Sequence, residues 1–157
     1  MNYSFIVRKA VVADAQSISQ IMSEAFKKYI DDTGLSTSVD ALLESYEKIE
    51  KDILTKEVYI AIIDGIPVAS IRLEIRNDNT AYISRFGVVS AYHSMGIGKT
   101  LMTFADKVCV EKGIKKAFLH TASKYTTLVR FYYGCGFYVL STSNDRGYVR
   151  ALMLKEY

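Results

Sequence analysis

The segment Phe86-Gly-Val-Val-Ser-Ala-Tyr-His-Ser-Met-Gly-Ile-Gly-Lys-Thr100 decides how the rest of the sequence is interpreted. It predicts the end of a strand, a short loop, and a helix with Gly96 and Gly98 in its first turn. The start of a helix offers unpaired N–H groups and the positive end of the helix dipole. Glycine lets a bulky anion approach the backbone, and Lys99 adds positive charge. The segment therefore predicts a phosphate-binding loop, although the two glycines could instead serve only the close packing of strand and helix.

Two common phosphate-binding motifs do not fit this segment. A P-loop ending in Gly98-Lys99-Thr100 requires a glycine five places before Gly98, and position 93 is histidine. No later apolar strand ends in the aspartate that would hold magnesium. In the dinucleotide-binding motif, Leu101 stands where the third glycine belongs. A nucleotide triphosphatase and a nicotinamide dinucleotide site are therefore disfavoured.

Periodicity on both sides of this segment predicts a mixed α/β sheet of about seven strands, mostly antiparallel, flanked by about four helices. Apolar residues with helical spacing indicate a first helix capped by Asp14 and a second beginning at Ser38. A third runs from Gly96 to Gly113, and a fourth contains Leu128. The second helix is expected to turn Leu42, Leu43, Tyr46, Ile49 and Ile53 inward. Alternation and turn residues place the strands at 5–9, 57–63, 68–76, 81–89, 117–121, 137–140 and 148–154.

The hairpin between the third and fourth strands allows a register to be predicted. A tight turn places Arg76 opposite Ala81. Tyr82, Phe86 and Val88 would then share a face with Leu73 and Ile75. On the other face, Glu74 is expected to form an ion pair with Arg85 or Arg72, all three pointing away from the core.

Composition limits the class of protein. The chain has 157 residues, of which 50% are apolar, and a net charge of +3. We expect one domain over residues 1–157, in a soluble cytoplasmic protein with no membrane span and no secretory leader. The small charge excess argues against a nucleic-acid partner, and Cys109 and Cys135 are too far apart in the sequence to suggest a metal site. The last strand could pair with a second copy, so a homodimer is possible.

At two places the sequence resembles the GCN5-related N-acetyltransferase (GNAT) family. His93-Ser-Met-Gly96-Ile-Gly98 is similar to the family motif of Gln or Arg, two residues, Gly, one residue, and Gly or Ala. Phe131-Tyr132-Tyr-Gly-Cys-Gly136-Phe137 is similar to its second motif. The chain departs from the family at His93, at Tyr125, where many members have an Asn contacting the cofactor, and at Tyr82, where histone-modifying members have a Glu base.

The resemblance implies a GNAT-like fold and acetyl transfer from acetyl-CoA, as co-substrate, to an amine, with no metal. Tyr132 would be the general acid, although its helical neighbours also fit a core aromatic. His120 is a candidate general base or, equally, a structural histidine. The Val88 N–H would polarise the thioester carbonyl. The coenzyme would contact Phe86, Gly87, Val88, His93, Ser94, Met95, Gly96, Ile97, Gly98, Lys99 and Thr100.

We expect the acceptor to be a small amine or a peptide or protein amine. Asp31 and Asp32 are placed in the loop between the first two helices. There they could attract a cationic amine or simply be solvated. Because the base is uncertain, a non-catalytic acyl-CoA-binding or sensing module on the same fold is the alternative function.

Overall fold

The computed structural model describes residues 4–34 and 42–157. Over these residues, seven strands form one sheet in the order β1-β2-β3-β4-β5-β7-β6, and four α-helices pack against it. Only the β4–β5 pair in this part of the chain is parallel, and α3 connects those two strands. The strands are β1 Phe5–Lys9, β2 Glu57–Ile63, β3 Ile66–Ile75, β4 Thr80–Val88, β5 Lys116–Ala122, β6 Tyr138–Ser143 and β7 Arg150–Glu156. The helices are α1 Ala15–Thr33, α2 Tyr46–Thr55, α3 Ile97–Glu111 and α4 Thr126–Gly134. The predicted class and the predicted crossover are confirmed.

The sheet is covered on both faces. Residues such as Ile71, Leu73 and Ile83 form one core with α3 and α4, here called the α3/α4 face. Val58 and Ile60 form a second core with α1 and α2 on the opposite α1/α2 face. Each face therefore has its own apolar core, and the sheet lies between the two cores. A gap between two strands would connect one face of the sheet with the other.

Two predicted helix starts need correction. Helix α2 begins at Tyr46 with Ser45 as its N-cap, whose hydroxyl accepts from the Lys48 N–H at 3.1 Å. Leu43 and Tyr46 are exposed rather than inward, and the predicted start at Ser38 lies outside the described residues. Asp14 immediately precedes α1, but its carboxylate accepts from the Val11 N–H and from Arg8 instead of capping the helix.

The predicted register of the β3–β4 hairpin is wrong by one residue between Arg72 and the turn. Ile75, not Arg76, lies opposite Ala81, and the Arg76 N–H donates to the Thr80 carbonyl at 2.9 Å. Since directly opposite residues share a face, Ile83 packs beside Leu73 in the α3/α4 core. Tyr82 lies opposite Glu74 and therefore faces α1 and α2. A shift of one position moves side chains to the other face. Beyond Arg72 the predicted register holds, since Val88 lies opposite Ala69, and Phe86 and Val88 pack with the α3/α4 core as predicted.

Arg72 lies on the predicted face of β3, but it does not pair with Glu74. Its guanidinium is completely buried and donates to Glu44 at 2.8 and 2.9 Å and to Asp52 at 2.8 Å. Arg85 lies 3.3 Å from the same Glu44 carboxylate. Alternation gave the correct opposite faces of β3, but the second face is covered by α2 and the residues preceding it. A buried charge there requires carboxylate partners.

Glu74 therefore pairs with neither Arg72 nor Arg85. It accepts from Arg76 at 2.9 Å and lies 3.9 Å from Lys56.

Candidate active site

Strands β4 and β5 diverge, and the gap between them is the centre of the candidate site. They pair only at Thr80↔Lys116, Ala81↔Ala117 and Tyr82↔Phe118, although both strands continue for several residues. A cavity of about 740 Å³ follows the gap and is lined by residues 82–88 and 119–121. An extended ligand entering it could hydrogen-bond to the open edges of the strands, as an added strand does.

A bulge in β4 accompanies this divergence. Ser70 faces Gly87 and Arg72 faces Ser84, so β4 has one residue more than β3 over this stretch. Arg85 takes up the extra residue with a φ of +51°, in the left-handed region. Bulges bend a strand and re-aim its side chains. The bulge lies in the part of β4 that does not pair with β5 and that lines the cavity.

The direction of one amide in the gap follows from its neighbour. The Val89 N–H donates to the Val68 carbonyl in β3 at 2.9 Å. Successive amides in a strand point to opposite sides, so the Val88 N–H points away from β3 into the gap. The Val88 carbonyl, on that same side, is hydrogen-bonded to the His93 Nε2 at 2.7 Å.

Gly96 and Gly98 open helix α3 and have different roles. Gly96 is the N-cap residue with a φ of +75°, and a Cβ there would meet nothing within 4 Å. A Cβ at Gly98 would lie 3.3 Å from the Phe86 ring, which stacks on Phe131 at 5.7 Å. Close packing therefore explains Gly98 but not Gly96. The open space at Gly96 and the free amides of the first helical turn suit a bound anion.

Some predicted coenzyme contacts line the cavity and others do not. Phe86, Gly87, Val88, His93, Gly96, Gly98 and Lys99 line it. Ser94 and Met95 are exposed outside it, and Ile97 is buried in the core. The Thr100 hydroxyl donates to the Gly96 carbonyl at 3.1 Å, and the Lys99 ammonium donates to the Gly134 carbonyl at 2.7 Å. Lys99 thus ties the start of α3 to the end of α4.

Tyr132 lies at the wall of the cavity on the α3/α4 face. Its ring packs against Phe86, Phe131 and Phe137, and the residue is only 5% exposed. Burial raises the pKa of Tyr132 well above its usual value, so the phenol keeps its proton at neutral pH. The arrangement combines a packed core aromatic with a protonated hydroxyl beside the gap.

His120 and Tyr82 meet on the opposite face of the sheet. The Tyr82 hydroxyl and His120 Nδ1 are 2.7 Å apart, and both residues line the cavity. Burial, followed by the charges of Arg150 and Arg146, lowers the pKa of His120, so the ring is neutral at pH 7. Burial raises the pKa of Tyr82. Sequence reasoning considered the two residues separately, since 38 positions divide them and the predicted register pointed Tyr82 to the other face.

The predicted placement of Asp31 and Asp32 in a loop is wrong, because both belong to the last turns of α1. Asp32 accepts from the Tyr125 hydroxyl at 2.6 Å and lies 3.2 Å from Lys28. Burial and this carboxylate raise the pKa of Tyr125 to about 12. Asp32 lines a smaller cavity together with His93, beside the phosphate loop. It is compensated by its partners and does not line the larger cavity with Tyr82 and His120.

Two kinds of feature are absent from the described ranges, 4–34 and 42–157. No group of three or more His, Cys, Asp or Glu side chains there could hold a metal ion. No helix in the same ranges is long and apolar enough to cross a membrane.

Comparison with known proteins adds a family and a set of similar structures. The sequence model described as "Acetyltransferase (GNAT) family" matches residues 17–137. PaiA N-acetyltransferase from Thermoplasma acidophilum, solved in complex with coenzyme A, is 25% identical with a TM-score of 0.83, covering 98% of this chain and 99% of that chain.

Two more distant structures share the fold. The ribosomal-protein-S18-alanine N-acetyltransferase from Escherichia coli is 12% identical with a TM-score of 0.78, covering 98% of this chain and 94% of that chain. A spermidine N-acetyltransferase SpeG chimera from Vibrio cholerae and hSSAT is 17% identical with a TM-score of 0.76, covering 97% of this chain and 95% of that chain.

Proposed function

The chain belongs to the acetyltransferase (GNAT) family, and from that premise we propose that it transfers the acetyl group of acetyl-CoA to a primary amine by direct attack in a ternary complex. The observation that carries the proposal is the gap between β4 and β5. It joins the α3/α4 face, with the phosphate loop and Tyr132, to the α1/α2 face, with Tyr82 and His120. Coenzyme and amine can thus meet from opposite faces of the sheet.

The first turn of α3 would hold the diphosphate of the coenzyme. Its free amides and the open space at Gly96 fit a large anion. From there the extended pantetheine arm would lie along β4 and carry the thioester towards Tyr82. The amides of β4 that face the gap, among them that of Val88, are the donors we propose for the arm and for the thioester carbonyl.

The acceptor nitrogen must attack in its neutral form, and a free alkylamine has a pKa near 10. With the imidazole proton on Nε2, His120 Nδ1 accepts the hydrogen of the Tyr82 hydroxyl. The nitrogen can then pass its proton to the Tyr82 oxygen while the Tyr82 proton moves to His120. The lowered pKa of His120 keeps this acceptor unprotonated at neutral pH.

Acetyl-CoA supplies an activated acyl group with a good leaving group. As the C–N bond forms and the C–S bond breaks, we propose that Tyr132 gives its proton to the departing sulfur. Exchange with solvent then returns Tyr132, Tyr82 and His120 to their starting states. Packing in the core requires only the ring of Tyr132. Its hydroxyl, which keeps its proton because burial raises the pKa, is the group we propose as the acid.

The function is tested by incubating the protein with acetyl-CoA and a panel of amines and measuring both thiol release and acetylated product by mass. We expect acetylated product from at least one class of primary amine. Binding of coenzyme A without product from any amine would contradict the proposal and favour a sensing module.

Replacing Tyr132 with phenylalanine should reduce kcat by about tenfold. The loss is modest because a thiol with a pKa near 8.5 leaves readily without full protonation. The ring contacts with Phe86 and Phe137 are kept, so Tm should stay within a few degrees. The measurement is kcat from pH 6 to 10, and turnover equal to that of the parent at every pH would refute the assignment.

Removing the proton relay should have a larger effect. We expect Tyr82→Phe and His120→Gln each to lower kcat by about a hundredfold at pH 7, a typical contribution of general base catalysis. The double variant should be no slower than the slower single variant, because one proton path is lost in all three. Losses that multiply in the double variant would show that the two residues act independently.

The pH profile gives a second readout of the relay. Because the pKa of His120 is lowered, protonation of its ring should reduce kcat only below about pH 6.5. That acidic limb should disappear in His120→Gln.

A further inference from the structure

Arginines surround the part of the cavity that the coenzyme would leave to the acceptor. Arg76 directly follows β3, and Arg85 is in β4. Arg146 comes from the segment between β6 and β7, and Arg150 from the start of β7. Lys48 and Lys56 line the same cavity. Among the described residues that line the cavity, basic side chains thus outnumber the carboxylates, which are Asp52 and Glu74.

Both of these carboxylates are already engaged by the protein. Asp52 accepts from Arg72 and from Lys48, at 2.8 and 2.7 Å. Glu74 accepts from Arg76 at 2.9 Å. Neither is therefore available as the main partner of a cationic substrate.

The arginines lie on the face where the amine would react, not on the face of the phosphate loop. Arg150 is opposite Ala122 and, by strand alternation, shares a face with His120. The Arg76 guanidinium carbon lies 5.2 Å from the centre of the Tyr82 ring. Helix α3, whose first turn would bind the diphosphate, packs on the opposite face. The coenzyme phosphates therefore do not account for this charge.

The positive charge of Arg150 has little compensation from nearby carboxylates among the described residues. Its side chain is 12% exposed, and its carboxylate contact among the described residues is Asp145 at 3.6 Å, itself 62% exposed. The Arg150 Nε is buried and has no hydrogen-bond partner there. By contrast, Arg72 is completely buried but makes three hydrogen bonds to carboxylates. A largely buried guanidinium with no close carboxylate among the described residues would be stabilised by a ligand carboxylate, whose two oxygens match its planar fork.

We infer that the acceptor amine carries a carboxylate and that Arg150, with Arg76 beside Tyr82, binds it while the amine faces the Tyr82–His120 pair. The inference rests on the proposed function and narrows its substrate class. It predicts discrimination against polyamines, whose second cation would meet the arginines.

The test compares amines matched in length. In each set an ω-amino acid, the corresponding alkylamine and the corresponding diamine are acetylated under identical conditions, for example 5-aminopentanoate, pentylamine and 1,5-diaminopentane. Chain lengths from two to six carbons are used. We expect kcat/KM for the amino acid to exceed that for the alkylamine by at least about tenfold in the best set, with the diamine poorest.

Variants then assign the effect to the arginines. Arg150→Gln should raise KM for the amino acid about tenfold and leave KM for the alkylamine and the affinity for coenzyme A unchanged. Because the Arg150 charge also lowers the pKa of His120, the comparison is made on KM, and a change in kcat shared by all amines is assigned to the relay. Arg76→Gln, at a more exposed position, should raise KM for the amino acid by a smaller factor. It serves as the test if Arg150→Gln does not fold. Arg130→Gln, an exposed residue of α4 outside the cavity, is the matched control.

The outcomes separate the two proposals. Equal or better turnover of the alkylamine or diamine would overturn the carboxylate inference and leave acetyl transfer standing. The carboxylate inference is equally overturned if Arg150→Gln and Arg76→Gln affect all three amines alike. No acetylated product from any member would overturn the proposed function itself.

Discussion

Replacing Arg72 with methionine should lower the free energy of unfolding by about 3 to 5 kcal/mol at pH 7, the cost of removing one partner from a buried ion pair. The guanidinium joins Glu44 and Asp52 beneath α2, and its side chain is completely buried. Methionine fills a similar volume but leaves the Glu44 and Asp52 carboxylates without the guanidinium that pairs with both. For a chain of this size, Tm should fall by roughly 6 to 20 °C. Denaturant unfolding with matched thermal melts measures the loss.

The pH dependence distinguishes charge from packing. Burial raises the pKa of Glu44 and of Asp52, but their hydrogen bonds, with Arg72 for Glu44 and with Lys48 and Arg72 for Asp52, outweigh it and lower both values. This stabilisation is complete above the unfolded pKa values and is lost as the pH falls through the lower folded values. Without Arg72, burial raises the pKa of Glu44 with less opposition. The deficit of the variant should therefore be largest near pH 7 and shrink towards pH 4.

Arg76→Met is the control for the Arg72 variant, since Arg76 pairs with Glu74 on a half-exposed surface. It should cost less than about 1 kcal/mol. Equal losses for the two variants, or a deficit in Arg72→Met that does not change with pH, would contradict the account of this cluster.

A carboxylate introduced at the start of α3 should nearly abolish coenzyme binding. Gly96→Asp and Gly96→Asn place side chains of the same shape in open space, and both residues tolerate the left-handed backbone that Gly96 adopts. Only the aspartate repels a diphosphate. A pair of like charges 4 Å apart costs about 4 kcal/mol at an effective dielectric constant of 20. The aspartate variant should therefore bind coenzyme A roughly a thousandfold more weakly than the asparagine variant.

Isothermal titration calorimetry at low and high salt measures this difference. Part of it should disappear as the ionic strength rises, because salt screens exposed charges. Similar melting temperatures for the two variants show that both fold. Equal affinities for coenzyme A would mean that the diphosphate does not approach Gly96.

Some elements could be predicted from the sequence because the residues that determine them are close together in the chain. The bounds of β1 and β2 agree with those predicted from short, strand-sized segments with consecutive apolar residues. The Asp64-Gly65 turn has both residues at positive φ, as a tight hairpin requires. Helix α3 follows from its apolar stripe and its glycines. The phosphate loop could be predicted because its chemistry lies in consecutive residues.

The acceptor side could not be predicted because its contacts are distant in sequence. One residue of register at the β3–β4 turn determines whether Tyr82 faces the core or His120, and turn composition alone does not fix that register. The partners of Arg72 lie 20 and 28 positions away, in and before α2. Alternation shows that Arg72 faces away from the first core but not that a second layer covers it. Arg150 could not be singled out from the sequence, because its lack of a close carboxylate partner among the described residues is seen only in the fold.

A crystal structure of the protein with coenzyme A tests the central claim most directly. We predict diphosphate oxygens at about 2.7 to 3.2 Å from main-chain nitrogens of residues 96–99, with the pantetheine arm between β4 and β5. Coenzyme A bound with its diphosphate away from the first turn of α3, or with its arm outside that gap, would contradict the account.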